Sequence, residues 1–156
     1  MTVPRIHGVQ VKPLVVHADE RGRLFEVLRS DEPLFSKFGQ AYVSCTWPGA
    51  VKGWHWHERQ DDYFTCLSGM LKLVVYDDRP DSPTRGQLNE FFIGDHNLAL
   101  VVVPRQTWHG WKCVSDREAM VLNLVTETFD RADPDEKRLD PHGNGVIPYD
   151  WARRDG

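Results

Sequence analysis

His55 and His57 stand two residues apart within the stretch Gly49 to Gly69, GAVKGWHWHERQDDYFTCLSG. Successive side chains on a β-strand point to opposite faces, so this spacing puts both imidazoles on one face and Trp54 and Trp56 on the other. The ERQDD segment reads as a tight polar turn, and Tyr63 to Leu67 as the returning strand. Such a hairpin brings Asp62 back towards the histidines and turns Tyr63 outward. A second stretch, Val102 to Trp111 (VVPRQTWHGW), puts His109 near the start of a strand with Trp111 on the same face. If the two stretches lie side by side, His109 completes a set of three imidazoles and one carboxylate. Imidazoles move protons near neutral pH, and with a carboxylate they also hold transition metals. As filler the set is costly, because buried polar groups need partners.

The elements that must carry these residues are strands. Val11 to His17 and Arg23 to Arg29 read as the first two, joined by the turn Asp19-Glu20-Arg21-Gly22. Asp31 to Lys37 reads as a short helix with Pro33 in its first turn. Gln40 to Thr46, Ala50 to His57, Asp62 to Leu67 and Met70 to Tyr76 follow. Beyond the turn-rich loop Asp77 to Gly86 come Gln87 to Ile93, Leu98 to Val103, Thr107 to Val114 and Ala119 to Thr126. About ten short strands punctuated by Gly and Pro predict an all-β, antiparallel sandwich or small barrel with little helix. A turn of helix is expected around Pro134 to Lys137, and an irregular tail after it. Trp54 and Trp56 read as packing on the outer face. Large aromatics there predict a covered surface, and hence a homodimer.

At 156 residues, 40% of them hydrophobic, the chain is expected to form one domain over residues 1–156. A net charge of −4 argues against a general nucleic-acid or membrane-surface binder. No stretch reads as a signal peptide, and no apolar run approaches the roughly 20 residues of a membrane span. Cys45, Cys66 and Cys113 sit in apolar, strand-like runs and read as buried thiols, which fits the cytoplasm. His7, His17, His96 and His142 lie near turns or termini and read as solvated. Asp77 and Arg79 are same-face neighbours expected to pair and order their loop.

Two resemblances follow from the motifs. Gly49, His55, His57, Asp62 and Gly69 have the spacing of the first cupin motif, with Asp62 where Glu is usual. Pro104 to His109 resembles the second motif, with Gln106 in place of Gly. A closer likeness spans nearly the whole chain. Asp19-Glu20-Arg21-Gly22 with Glu26, Phe38-Gly39-Gln40, Lys52-Gly53-Trp54-His55, Asp77-Asp78-Arg79, Ser82-Pro83-Thr84 with Gly86, and His109-Gly110 resemble the dTDP-4-dehydrorhamnose 3,5-epimerase family. That resemblance implies a jelly-roll cupin and a nucleotide-sugar substrate.

Epimerisation beside a ketone needs a base for the α-proton, a donor for the enolate oxygen and an acid on the opposite face. By the resemblance, His55 falls at the family's base and His109 at its second active-site histidine. Arg21 and Lys52 fall at substrate-contacting cations, and Asp140 at the acid that orients the base. Glu26, Gln40 and Trp111 join the residues expected to bind substrate. Two positions depart from the pattern: the family's lysine lands on Asp62 and its acid tyrosine on Asn123, which leaves Asn123 a binding role.

The departures also favour a metal. His55, His57, Asp62 and His109 together suit one divalent ion among Fe, Mn, Ni, Cu and Zn. It could polarise a sugar carbonyl in place of the missing lysine. His55 would then be occupied, and Glu26, Tyr63 or a metal-bound hydroxide would have to move the proton. Three functions remain open: an epimerase or isomerase of a dTDP-4-keto-6-deoxyhexose, a metal-dependent cupin isomerase or dioxygenase acting on another small molecule, and a sugar-binding cupin without activity.

Overall fold

The computed structural model describes residues 5–156. Its strands are β1 (Gln10–Pro13), β2 (His17–Asp19), β3 (Gly22–Leu24), β4 (Gln40–Thr46), β5 (Val51–Trp56), β6 (Asp62–Ser68), β7 (Met70–Tyr76), β8 (Leu88–Gly94), β9 (Ala99–Val103), β10 (Trp108–Cys113), β11 (Ala119–Val125) and β12 (Lys137–Arg138). Two five-stranded antiparallel sheets, β1-β9-β6-β11-β4 and β12-β5-β10-β7-β8, pack as a jelly roll, and β2 and β3 form a separate hairpin. Apolar residues alternate along these strands, and the inward set fills the space between the sheets. Phe64, Cys66, Val101, Val103 and Val121 of one sheet meet Leu71, Leu73, Val75, Trp111 and Cys113 of the other. The polar cavity lies at one end of this core.

The N-terminal quarter differs from the sequence reading. The run from Val11 to His17 is interrupted: β1 ends at Pro13, with the Leu14 N–H still bonded to Leu98 O at 2.9 Å, and the next strand begins only at His17. Strand beyond Leu24 is absent. Phe25, Val27 and Leu28 instead pack on Tyr63, Leu100 and Val102 against the outer face of the first sheet. Asp31 to Lys37 forms isolated turns rather than a helix, through Glu32 N–H to Arg29 O and Phe35 N–H to Glu32 O. Leu34 is held there by the same outer-face cluster.

The outward tryptophans are covered by the chain itself. Trp54 is fully buried beneath Ile147, Tyr149 and Trp151 of the C-terminal tail, with Trp108 and Val74 beside it. The Trp54 and Trp151 rings lie 4.9 Å apart, and Lys137 sits 3.9 Å over Trp56. The covered surface therefore does not argue for a second copy. Cys45 also departs from expectation: it lies on the outward side of edge strand β4 and is exposed, while Cys66 and Cys113 are buried, and all three are unpaired thiols. No helix among the described residues is long and apolar enough to cross a membrane.

Candidate active site

The predicted set of four comes together. β5 and β10 are neighbours, and His109 pairs directly with His55. His57 lies one period-two step further along the same face, its ring 5.3 Å from that of His109. Asp62 faces them from the other sheet. Its Oδ2 is 3.7 Å from His57 Nε2 and 3.8 Å from His109 Nε2. Asp62 and His109 are 1% and 2% exposed, so both sit in the low-dielectric interior. Burial pushes the Asp62 carboxyl up from the ordinary carboxylate range. It pushes the His109 imidazole well below its ordinary value, and the neighbouring His57 and His55 add to that. Asp62 Oδ1 accepts hydrogen bonds from Gln60 Nε2 at 3.0 Å and Asn123 Nδ2 at 2.8 Å.

Within the set the structure makes a division. His55 Nδ1 is 2.8 Å from Glu136 Oε1, and its ring stacks at 6.0 Å on Trp111. His57, Asp62 and His109 form a tighter trio whose ligand atoms lie within 4.8 Å of one another. His57 Nδ1 donates to Asp135 O at 2.5 Å, which leaves its Nε2 as an acceptor aimed at a carboxylate oxygen. Two acceptors facing each other need a proton or a cation between them. Two imidazoles and one carboxylate with open positions fit a divalent transition metal. His55 lies outside this trio, so three of the four expected ligands, not four, come within reach of a single ion.

The acid that orients His55 is Glu136, not Asp140. Asp140 is exposed and caps the His142 backbone N–H. Glu136 sits just before β12, whose Arg138 pairs across from His55. The His55 hydrogen bond, aided by Arg138, holds the Glu136 carboxyl down to about 2. Sequence reasoning missed it because β12 is two residues long and carries no periodicity. Asp135, also missed, secures the predicted turn: its carboxylate accepts the backbone N–H groups of Glu58, Arg59 and Gln60.

Other candidates scatter. Tyr63 faces outward as expected, but it is buried and gives its hydroxyl to Leu34 O, so it does not reach the cavity. Arg21 is exposed and paired with Asp19 on the β2–β3 hairpin, and Glu26 is exposed beside Arg29. Neither lines the cavity. Trp111 is packed behind His55 with its indole N–H on Thr46 Oγ1, and so presents no free face to a ligand. Gln40 lines the cavity while accepting the Phe129 N–H, and Asn123 is buried beside Asp62.

Lys52 reaches the inner side through a bulge. Counting by twos from His55 would send it outward with Trp54. The register slips between His109 and Trp111, so that Lys52 pairs with Trp111 and its ammonium donates to Ser44 Oγ and Cys45 O. The bulge brings two backbones into close approach. A Cβ on Gly53 would stand 2.9 Å from Gly110 Cα, and one on Gly110 would stand 3.0 Å from Gly53 Cα.

A jelly roll holding clustered histidines and a carboxylate between its sheets is a cupin. More narrowly, the chain belongs to the dTDP-4-dehydrorhamnose 3,5-epimerase family, whose model matches residues 4–145. It is 44% identical to the probable low-salt glycan biosynthesis epimerase Agl13 of Haloferax volcanii, over 96% of each chain. It is 36% identical to the spore coat polysaccharide biosynthesis protein SpsL of Bacillus subtilis, over 94% of this chain and 96% of that one. The crystal structure of a dTDP sugar isomerase from Desulfovibrio desulfuricans G20 matches with a TM-score of 0.89 at 32% identity, covering 99% of this chain and 97% of the other. The protein is an enzyme of the isomerase and epimerase class.

Proposed function

We propose that the protein epimerises a dTDP-4-keto-6-deoxyhexose-type nucleotide sugar by proton transfer at a carbon next to the ketone. The observation that carries this reading is the His55–Glu136 pair at 2.8 Å, with Glu136 lining an open, polar cavity. The Glu136 carboxylate accepts a hydrogen bond from Nδ1–H and fixes the tautomer, so His55 Nε2 carries the lone pair that removes the α-proton. Gln40, Lys52 and His109 are assigned to binding and orientation of the substrate, and Asn123, whose amide is fully engaged by Tyr63, Asp62 and Tyr42, to holding the groups around it. Incubation with dTDP-4-keto-6-deoxyglucose in D2O tests the reading. Deuterium should enter a carbon adjacent to the ketone with formation of an epimer; absence of both would refute it.

A second reading rests on the trio. His57, Asp62 and His109 are proposed to hold one divalent transition metal, which when bound would polarise a carbonyl oxygen. Elemental analysis of protein purified without chelators should find about one metal per chain. None found, and none taken up on addition, would dismiss the site.

The chain is further proposed to be cytoplasmic, in keeping with its three free thiols, and homodimeric. Exposed Phe38, Val43 and Trp47 lie before, on and after edge strand β4, along which a second copy could pack. Sedimentation of wild type and Trp47→Glu tests the dimer, which the substitution should weaken; a monomeric wild type would contradict it.

A further inference from the structure

Tyr42 stands on edge strand β4 and lines, with His57 and Glu136, a cavity of about 450 Å³. It pairs directly across the ladder with Asn123, so the two side chains share the inner face. The Asn123 amide has one admissible orientation. Its Oδ1 accepts the Tyr63 backbone N–H at 3.1 Å, and a backbone N–H can only donate. The amide nitrogen therefore points the other way, giving one hydrogen to Asp62 Oδ1 and the other to the Tyr42 hydroxyl, each at 2.8 Å. Tyr42 is the acceptor in that bond. Its own hydrogen stays available to whatever occupies the cavity. Tyr63, by contrast, has its hydroxyl engaged with Leu34 O at 2.8 Å.

We propose that Tyr42 is the proton donor of the epimerisation, giving its phenolic hydrogen to the enolate carbon on the face opposite His55. The assignment rests on the epimerase reading above. His55 belongs to β5 in one sheet and Tyr42 to β4 in the other. A sugar held between the sheets meets base on one side and acid on the other, which inversion at carbon requires. His55 takes the α-proton, and the C–H electron pair becomes the enolate. That pair then forms the new C–H bond with the Tyr42 hydrogen while the ketone C=O is restored. The O–H electrons stay on the phenolate, which the Asn123 N–H already faces; solvent then takes the proton from the His55 imidazolium and returns one to Tyr42, so both groups are restored. Burial and the Asp62 carboxylate push the Tyr42 hydroxyl up to about 12, so the group rests in its protonated form. Asn123, where the family resemblance expects the acid tyrosine, thus holds a phenol that the adjacent strand supplies.

The test compares wild type with Tyr42→Phe on dTDP-4-keto-6-deoxyglucose in D2O, following deuterium at the substrate carbons and the yield of epimer. Tyr42→Phe should still exchange the α-proton with retention, through His55, with KM within a few-fold of wild type. Its epimer formation should fall by about 10²- to 10⁴-fold. An active wild type matched in epimer yield by Tyr42→Phe would overturn the Tyr42 assignment alone. A wild type that neither exchanges nor epimerises would remove the epimerase reading and this assignment with it.

Discussion

His55 and Glu136, 81 residues apart in the chain, meet at 2.8 Å because β12 pairs with β5. The contact does two separable things. It orients the imidazole, and it ties the C-terminal segment to the sheet that carries the histidines. Glu136→Gln should keep the fold and lower the epimerisation rate about 10²-fold or more, since a neutral amide no longer stabilises the imidazolium formed on proton transfer. Rates measured at saturating substrate check this.

The same pair gives a pH signature. The Glu136 carboxyl is lowered from 4.5 to about 2 in the folded protein, so its contribution to stability is fully present above about pH 4.5 and is lost as pH falls towards 2. The difference in Tm between wild type and Glu136→Gln should be constant near neutral pH and shrink through that window. A difference that grew on acidification would contradict the sign.

Asp77 organises the loop between β7 and β8. Its fully buried carboxylate accepts from Arg79 Nε, Ser82 Oγ and Thr84 Oγ1 at 2.6–2.8 Å, and these donors hold it well below the usual carboxylate range. Asp77→Asn swaps an acceptor for a donor among donors and should cost about 1.5–3 kcal/mol, measured by urea unfolding.

Gln106 occupies the left-handed region, at φ 64°, where its N–H reaches His57 O at 2.6 Å and fastens the turn to the histidine hairpin. A side chain there is strained by about 1–2 kcal/mol. Gln106→Gly relieves the strain at some cost in unfolded-chain entropy. It should leave stability unchanged or raise it by up to about 1 kcal/mol, whereas Gln106→Val should lower it. Thermal melts of both variants decide this.

Trp151 covers Trp54 from the tail and accepts the Lys112 ammonium on its carbonyl. Trp151→Ala should destabilise the fold by about 3–5 kcal/mol, read from chemical denaturation. A near-neutral effect would mean the tail is not part of the core.

Period-two alternation made the central arrangement legible. Fixing His55 and His57 on one face and returning the chain through Asp62 needs only strand geometry, and the position of His109 follows from one further strand. What stayed hidden lies where alternation fails or contacts are distant. The bulge at Gly53 and Gly110 reverses the parity of Lys52. Glu136 precedes a strand too short to show a pattern. The apolar outer face at Trp54 was visible, but its cover was not, because the tail that folds over it has no regular structure. Asp140 and Glu136 are both acids of that tail, and only the pairing of β12 with β5 separates them.

The central claim is that His55 removes the proton. It is tested most directly by the rate at which deuterium from D2O enters dTDP-4-keto-6-deoxyglucose with wild type and with His55→Asn, followed by proton NMR. The account predicts loss of the α-proton signal with wild type and a rate at the uncatalysed background with His55→Asn. Exchange by His55→Asn at the wild-type rate would contradict it.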